Sequence, residues 1–473
     1  MDLMTLKEAI ALSPEESNSL YAKHVNPWLL KIYKMLGVNE IDIKSAKGTE
    51  IYLRDGRTIL DFSSAIGILA LGHNHPMIID AEKVCHDNNL IDALKVAPHK
   101  LQAVLSYNLS RLFPDPLSLS ILGISGAEVV ECSMKLCERV QGPSKNKYIT
   151  TKGSFHGKTR NAVILSESGE FSDGTLLGLP EGSVIEVPYG DTGAVEQVIN
   201  EQRQGMKKNR IIAMILEPIQ GQGIVVPPKG YLTEIVKLCH DNDILVIFDE
   251  IKVGMCRTGT FWAFEIEKVV PDIVTISKAL GGGKRAISAM ITSEKLFNKA
   301  YGSINECALQ TTTFGGLGES CAVAIETLNV MIDQNIANAA REKGDYLKSK
   351  LLKVKEKYPT LISEIRGRGL LLGIKFDFRN YFLKNIVDTS KVPIFRTLDS
   401  ICIASITREL YRKYNIIIHF SASDPDILHI APPLIVENKS LDQFVDSLDD
   451  LISNGLLKVL VEFVKGNVKS LCK

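Results

Sequence analysis

The sequence has no excess of charge of either sign. Lysine plus arginine and aspartate plus glutamate each number 55 in a chain of 473 residues, so the formal net charge is zero. Proteins that bind nucleic acid or anionic membranes usually carry a basic surface. We therefore expect neither partner. Hydrophobic residues at 45% and charged residues at 23% are the proportions of an ordinary globular protein.

Cysteine motifs and long apolar runs are also missing. The nine cysteines include no CxxC pair, which predicts reduced thiols without a disulfide framework, and we expect no metal site. The longest apolar stretch, residues 65–71, is far shorter than the ~20 residues of a membrane span. Residues 1–20 lack the apolar region of a signal peptide. Together these absences predict a cytoplasmic protein.

The chain is too long for one ordinary core, and no internal repeat or low-complexity linker divides it. We expect an α/β protein that has a large domain and a smaller α+β domain. Residues 71–330 are predicted to form the large domain. Residues 331–473 are predicted to form the small domain, to which residues 1–70 contribute.

Short apolar runs alternate with helical patterns through the middle third, which is typical of a parallel sheet covered by helices. Three runs too short for helices lead into ionisable residues: 211–216 into Glu217, 244–248 into Asp249, and 273–276 into Lys278. Ligands of such sheets bind at the carboxyl ends of the strands. Because a buried sheet has no structural use for unpaired charges there, we expect these three residues to share one site.

The last third has a different pattern, which predicts the smaller lobe. We expect a long charged helix or a helix pair at 328–358, a strand at 369–376, two short strands within 416–435 and one closing helix at 441–465. Residues 377–398 have weak periodicity and mix aromatic with basic side chains. We interpret that stretch as an inserted surface segment.

Lys278 precedes the glycine run 281–283. A lysine before a glycine turn is, by itself, more often an ordinary surface residue. The other candidate residues in the sequence favour a catalytic role for Lys278. A carbonyl cofactor such as pyridoxal 5′-phosphate needs a lysine for a Schiff base, an acid at the ring nitrogen, a phosphate-binding turn and a stacking ring. Asp249, at the end of a neighbouring apolar run, can supply the acid.

Two other segments offer the remaining features. Ser125, Gly126 and Ala127 open a predicted amphipathic helix that runs to about residue 140, and a helix N-terminus presents backbone N–H groups to a phosphate. Phe155 and His156, followed by a glycine, offer an aromatic face. Each signal alone is weak, since many helices begin with Ser-Gly and many phenylalanines belong to a core.

The order of motifs along nearly the whole chain resembles the class III, or ω-, aminotransferases, which are pyridoxal-phosphate enzymes. The motifs are Leu71-Gly72-His73-Asn74-His75-Pro76, Ser125-Gly126-Ala127-Glu128, Phe155-His156-Gly157-Lys158-Thr159, Leu216-Glu217-Pro218-Ile219-Gln220-Gly221, Asp249-Glu250-Ile251, the Lys278 block, Thr311-Thr312-Thr313-Phe314-Gly315-Gly316 and Ala431-Pro432-Pro433-Leu434. Within the family, the putrescine aminotransferases are the members that it most resembles. The resemblance implies fold type I, in which the large domain has a mainly parallel seven-stranded sheet.

The resemblance also implies roles for single residues. Lys278 would form the internal aldimine with the cofactor and then carry a proton between the substrate carbon and the cofactor. Asp249 would pair with the pyridine nitrogen, and Phe155 would stack on the ring. Gly126 and Ala127 would bind the phosphate through backbone N–H groups.

The family's assembly and reaction follow in the same way. Thr313 would reach the phosphate bound by a partner subunit, which implies a homodimer. An amine, diamine or amino acid would donate nitrogen to the cofactor, and a keto or aldehyde acceptor would remove it, in a ping-pong reaction. The complete set of expected cofactor-binding residues is Ser125, Gly126, Ala127, Phe155, His156, Glu217, Asp249, Ile251, Lys252, Lys278 and Thr313.

Departures from the family pattern gather around the substrate. His429 stands where the family usually has an arginine that grips an α-carboxylate, and Gln222 stands where it usually has a glutamate that pairs with that arginine. Losing both partners is coherent, because losing one would leave a buried charge uncompensated. A mostly neutral histidine cannot replace bidentate recognition by arginine. We therefore expect a substrate that does not depend on the α-carboxylate clamp, with Gln222 and His429 as candidate substrate residues.

Two further departures leave alternatives open. Lys252 replaces a glutamine near the phenolic oxygen of the cofactor; it either stabilises a phenolate there or turns outward. Lys284 and Arg285 follow the glycine run and form either a positive rim or an ordinary solvated pair.

Other activities compete with transamination. A racemase or epimerase on the same scaffold begins with the same proton abstraction, and net nitrogen transfer distinguishes the two. A relative without catalytic activity is a further alternative, which the absence of a cofactor absorption band would favour. A nicotinamide dehydrogenase is disfavoured, because no Gly-x-Gly-x-x-Gly follows a predicted strand and opens a helix.

Overall fold

The computed structural model describes residues 3–166, 178–203, 210–382, 393–421 and 424–471. The strands are β1 Ile43–Lys47, β2 Glu50–Leu53, β3 Thr58–Asp61, β4 Leu117–Gly123, β5 Lys147–Thr151, β6 Val184–Val187, β7 Ile211–Leu216, β8 Leu245–Asp249, β9 Ile273–Ile276, β10 Ser288–Ser293, β11 Ile362–Arg368, β12 Leu371–Phe376, β13 Ile416–Ile417, β14 His419–Phe420 and β15 Ile427–Ile430.

The helices that cover these strands are α1 Leu6–Ala11, α2 Pro14–His24, α3 Pro27–Leu36, α4 Ser64–Gly67, α5 Pro76–Asp87, α6 Lys100–Leu112, α7 Gly126–Gln141, α8 Thr192–Arg203, α9 Tyr231–Asp241, α10 Glu294–Tyr301, α11 Gly318–Asp333, α12 Ile336–Lys357, α13 Phe378–Phe382, α14 Pro393–Tyr414, α15 Asn438–Ser453 and α16 Leu456–Leu471. Short 3-10 helices occupy Ala263–Glu267 and Lys278–Gly281. Within the described ranges, no helix has the length and apolar character that a bilayer crossing requires.

The central sheet has seven strands in the order β4-β10-β9-β8-β7-β5-β6. Strands β5 to β9 pair in parallel, whereas β10 is antiparallel to its neighbours β4 and β9. Every residue of β7 and β8 is buried, as expected for parallel strands covered on both faces. The predicted mainly parallel sheet is therefore confirmed.

The pairing of β7, β8 and β9 positions the expected site. These strands are neighbours and run in one direction, and Asp249 at the end of β8 lies opposite Thr275 of β9. Glu217 and Lys278 follow the ends of β7 and β9. Their carboxyl ends meet at one edge of the sheet, where ligand sites form in such folds.

Of two smaller sheets, one combines segments from the two ends of the chain and the other lies wholly in the C-terminal third. One has the order β1-β2-β3-β13, in which β13 is parallel to β3, and the other has the order β11-β12-β15-β14. Phe62, directly after β3, stacks on Phe444 of α15 with ring centroids 4.7 Å apart. Residues near the N-terminus thus pack with the C-terminal third. The domain boundaries at residues 70 and 330 stay predictions.

The C-terminal helices correct one expectation and decide another. Residues 328–358 form a helix pair, because Asn335 takes a left-handed conformation with φ 49° between α11 and α12. The prediction of a single closing helix at 441–465 is wrong. Gly455, with φ 97°, separates α15 from α16, since a left-handed glycine ends a helix at little cost.

The strand count and the inserted segment also differ from expectation. Residues 416–435 contain three short strands instead of two, β13 to β15. The interpretation of 377–398 as a surface insertion is wrong at its ends. Phe378 is buried and stacks on Phe376, and α14 begins at Pro393. The part between them, residues 383–392, lies outside the described residues.

Gly344 offers a test of the packing between α12 and the small sheet. A Cβ atom there would lie 2.1 Å from the carbonyl oxygen of Gly369, just before β12. We expect Gly344→Ala to destabilise the protein by about 1–3 kcal/mol, because the backbone must shift. Gly193→Ala is the control, since its Cβ would meet only Asp191 Oδ1 at an ordinary 3.4 Å. Urea unfolding that ranks the two variants equally would contradict this contact.

Candidate active site

A cavity of about 420 Å³ lies at the sheet edge described above. Most of the residues expected from the sequence line it: Gly126, Ala127, Phe155, His156, Glu217, Gln222, Asp249, Ile251, Lys252 and Lys278. Its volume is within the range of ligand pockets for small organic molecules. Glu217, Asp249 and Lys278 therefore share one cavity, as expected.

Asp249 is a buried carboxylate with two partners. Its Oδ2 lies 2.7 Å from Nδ1 of His156, and its Oδ1 accepts a hydrogen bond of 3.0 Å from the backbone N–H of Ile251. Both contacts fix the orientation of the carboxylate, because a buried polar group left without partners is costly. The structure thus places a fixed carboxylate at the cavity.

His156 positions Asp249. Its backbone N–H donates to Ser166 Oγ at 2.9 Å, which fixes the segment, and its ring is buried against the carboxylate. The sequence identified His156 as a cofactor-binding residue but did not indicate this contact, which joins residues 93 positions apart.

Glu217 connects two loops of the site. Its carboxylate accepts hydrogen bonds from the backbone N–H groups of Phe155, at 3.2 Å, and Gly221, at 2.9 Å. Burial raises the pKa of Glu217 to about 7, although the nearby His156 and these two N–H groups oppose the rise. Glu217 therefore holds the segment with Phe155 against the segment with Gly221.

Lys278 is in the strained left-handed region, with φ 39°. Burial lowers the pKa of its amine, while Asp249 and Glu217 act in the opposite direction. A lowered pKa increases the fraction of neutral amine, which is the nucleophilic form. The position and chemistry of Lys278 suit attack on a carbonyl group.

Lys252 faces the cavity, so the outward-turned alternative is wrong. Its Nζ donates to the carbonyl oxygen of Gly221 at 2.6 Å. Burial, and then the charge of Lys278, lower the pKa of Lys252 to about 7. The Glu217 carboxylate only partly offsets these effects. The cavity thus contains two lysines whose amines have lowered pKa values.

Helix α7 points its N-terminus at the cavity. Ser125 caps it, with Oγ accepting from the N–H of Glu128 at 3.2 Å, and Gly126 and Ala127 line the cavity. A Cβ at Gly126 would lie 2.8 Å from Ile251 Cδ1, so a larger residue there would displace the Ile251 side chain. Ser125 itself is not among the lining residues; its side chain shapes the helix end instead.

The turn α4 is a part of the site that the sequence did not reveal. Ser64, Ala65, Ile66 and Gly67 have φ values of 44°, 50°, 60° and 89°, an unusual left-handed run. Ala65 and Ile66 line the cavity. A Cβ at Gly67 would lie 3.9 Å from the Lys252 side chain and 4.0 Å from that of Lys278. The only sequence signal was the apolar composition of residues 65–71.

Thr313 and His429 lie outside the cavity lining. Thr313 is exposed on the single chain, and His429 is only 1% exposed, on β15 of the small lobe.

Lys284 and Arg285 do not form a free positive rim. Lys284 donates to Asn74, while Arg285 contacts Glu82 at 2.8 Å and also pairs with Glu319. These partners neutralise Arg285 and keep both side chains engaged. The positive-rim alternative is disfavoured.

Comparisons with known proteins identify the family and the fold. The family model of class III aminotransferases matches residues 34–452. The ornithine aminotransferase of Toxoplasma gondii ME49 superposes with a TM-score of 0.80 at 23% identity, covering 97% of this chain and 100% of that one. An (S)-enantioselective omega-transaminase of Thermomicrobium roseum superposes with a TM-score of 0.79 at 22% identity, covering 96% of this chain and 99% of that one. The acetylornithine aminotransferase of Elizabethkingia anophelis superposes with a TM-score of 0.70 at 23% identity, covering 95% of this chain and 100% of that one.

The fold and the site define a pyridoxal-phosphate-dependent enzyme of fold type I. The chain belongs to the class III aminotransferases and is a pyridoxal-phosphate-dependent transaminase. The cavity suits this cofactor, because it combines the buried amine of Lys278, the fixed carboxylate of Asp249 and the N-terminus of α7. No observation favours racemisation over transamination.

The pair of His156 and Asp249 generates a prediction. We expect His156→Leu to weaken cofactor binding at least about tenfold, because Asp249 loses the partner that orients its carboxylate. Spectroscopic titration of the cofactor-free protein with pyridoxal phosphate measures this. His240→Leu is a matched control, since Nε2 of His240 lies 2.9 Å from Asp272 Oδ2, away from the cavity lining. Equal affinities for the two variants would contradict the role of His156.

Proposed function

We propose that transamination in this protein runs through Lys278. The observation that carries the proposal is the buried amine of Lys278 in one cavity with the fixed carboxylate of Asp249. When bound, pyridoxal phosphate takes up the amino group of the donor and stabilises negative charge on the substrate carbon. The amine of Lys278 would hold the cofactor and then move the proton at that carbon.

The remaining residues would bind and orient the cofactor. Asp249, held in place by His156, would pair with the pyridine nitrogen, which needs a nearby carboxylate to stay protonated. The N–H groups of Gly126 and Ala127 would bind the phosphate, where the helix dipole adds attraction. Phe155, held by Glu217 through its backbone, would cover one face of the ring.

Lys252 would act on the phenolic oxygen of the cofactor, as the family resemblance implies for this position. Its Nζ is fixed on the carbonyl oxygen of Gly221 and faces the cavity. A cation at that position stabilises an anionic ring oxygen. We therefore favour this role for Lys252 over a purely structural one.

The substrate would be an amine that the protein does not hold by an α-carboxylate. Gln222 lines the cavity, and its Oε1 accepts a 2.5 Å hydrogen bond from Ser421. Gln222 is an uncharged amide and cannot pair with an arginine as a glutamate would. Burial holds the pKa of His429 well below its usual range, so the His429 ring is uncharged as well. Donor amines, diamines and ω-amino compounds therefore remain the candidates, with a keto or aldehyde acceptor. The resemblance to putrescine aminotransferases stays a prediction.

We propose a homodimer in which Thr313 reaches the partner's cofactor phosphate. Thr313 is exposed, and large apolar side chains near it in sequence are exposed as well: Ile304 (94%), Leu309 (46%) and Phe314 (58%). Large exposed apolar side chains of this kind support a protein interface in this segment. Lys95 donates to the carbonyl oxygens of Thr312 and Gly315, and so fixes the segment.

A cytoplasmic location, expected from the cysteine pattern, stays a prediction.

Lys278→Ala tests the proposed chemistry. We expect the variant to lose at least about a hundredfold in the rate of the amine half-reaction, since the group that moves the proton is missing. Borohydride reduction followed by peptide mass spectrometry should place a pyridoxyl group on Lys278 in the natural protein. Lys284→Ala is the control outside the cavity. A pyridoxyl group on Lys252 would overturn the assignment.

Mixing two inactive variants tests the shared site. Lys278→Ala lacks the amine, and Thr313→Asp would repel the phosphate. If Thr313 acts across the interface, each mixed dimer contains one site with both natural residues. Mixing after partial unfolding should then restore activity, up to about a quarter of the natural value, because random pairing makes half the dimers mixed and each has one of two sites. No restoration, with mixed dimers verified by native mass spectrometry, would contradict the arrangement.

A further inference from the structure

Gln222 lines the cavity with one end of its amide already engaged. Its Oε1 accepts a hydrogen bond of 2.5 Å from the hydroxyl of Ser421 in the small lobe. Because Ser421 holds the oxygen, the amide nitrogen keeps both of its N–H donors. Within the part of the chain that the structure describes, that nitrogen donates to no acceptor and stays accessible. Gln222 therefore presents chiefly N–H donors to the space that it lines.

The ammonium group of Lys252 lies beside Gln222. Its Nζ donates at 2.6 Å to the carbonyl oxygen of Gly221, the residue directly before Gln222. An ammonium group has three N–H donors and no acceptor. Over the described ranges of the chain, the Gly221 oxygen is the one acceptor that Nζ contacts. A second ammonium group brought to this position would meet a like charge, whereas an anion would meet an opposite one.

Both carboxylates of the cavity lining, Glu217 and Asp249, are already used by the chain. Each oxygen of Glu217 accepts a hydrogen bond from a backbone N–H. The oxygens of Asp249 contact His156 and one backbone N–H, and under the proposed function Asp249 also binds the ring nitrogen of the cofactor. Neither acid is therefore left to pair with a second ammonium group on the substrate.

A third acid, Asp424, approaches the same loop together with a cation. A Cβ at Gly223 would lie 2.9 Å from Oδ2 of Asp424 and 3.2 Å from Nη2 of Arg366. The two side chains thus meet one glycine with opposite charges, and neither of them lines the cavity. Because the guanidinium of Arg366 offsets the charge of Asp424, this acid does not make the loop a site for cations.

One wall of the cavity is apolar and comes from the turn α4 and the residue after it: Ala65, Ile66 and Ile68. This wall adjoins the two lysines, because a Cβ at Gly67 would lie 3.9 Å from the Lys252 side chain and 4.0 Å from that of Lys278. Such a wall suits the methylene groups of a substrate, since removing them from water is favourable. The cavity thus combines an apolar wall with N–H donors beside it.

We propose that Gln222 and Lys252 form a subsite for a carboxylate at the far end of the amine substrate, so that ω-amino acids are preferred and diamines are rejected. This inference rests on the proposed function and narrows its substrate class. A carboxylate offers only acceptors, which match the N–H groups of both side chains, and its charge matches the ammonium. The second ammonium group of a diamine offers only donors, and would leave these N–H groups unpaired beside a like charge.

A series of matched amines tests the subsite. Single half-reactions of the holoenzyme are followed by the cofactor spectrum with 4-aminobutyrate, butylamine and 1,4-diaminobutane, and with the same three end groups at neighbouring chain lengths. At the best length, we expect the amino acid to exceed both other amines in kcat/KM at least about tenfold, as expected for a hydrogen bond to a charged group. A preference for the diamine or the alkylamine would overturn the inference and leave the proposed function standing. If none of the amines reacts, the proposed function fails, and the inference fails with it.

Variants of Gln222 provide a second, independent measurement. Gln222→Leu removes the N–H donors and should reduce the preference for the amino acid over the alkylamine at least about tenfold. Gln222→Glu replaces the donors by a negative charge and should shift the ratio of amino acid to diamine at least about tenfold toward the diamine. Gln197→Glu, on the exposed surface of α8, is the matched control. Thermal unfolding and the cofactor spectrum identify variants that do not fold. Unchanged ratios in a folded variant of either kind would contradict the proposal.

Discussion

Burial of the Lys278 amine at the end of β9 is the constraint on which the site depends. Removing an amine from water lowers its pKa, and the carboxylates of Asp249 and Glu217 act in the opposite direction. Both carboxylates are themselves buried and need partners. His156 and a backbone N–H support Asp249, and the backbone N–H of Gly221 is one of two that support Glu217. The hydrogen bonds that support Asp249 and Glu217 thus accompany the burial of one amine beside them.

The parallel sheet and the small lobe have separate tasks. Strands β7, β8 and β9 place Glu217, Asp249 and Lys278 at the cavity, whereas β14 and β15 place His419 opposite His429 in the small lobe. Gln222, which lines the cavity, contacts the small lobe through Ser421. The positions that depart from the family pattern, Gln222 and His429, thus lie apart from the ends of the parallel strands.

Much of the site could be predicted because its signals are local. The apolar runs before Glu217 and Asp249 and the small residues that open α7 depend on side-chain type over a few positions, and the structure has these elements. The side-chain partner of His156 could not be predicted, because it joins residues 93 positions apart. The direction of Lys252 was equally open, since two orientations fit the same sequence. The left-handed turn α4 has no pattern that distinguishes it from an apolar strand.

The sequence by itself determined the parallel sheet, the helix that opens at Ser125 and most of the residues that line the cavity. Burial periodicity and helix capping are properties of neighbouring residues, so a linear pattern records them. Only the tertiary structure decided that Lys252 faces the cavity, that Gly455 divides the closing helix and that His419 lies opposite His429. Strand register and burial depend on contacts between distant segments, and these exist only once the chain has folded.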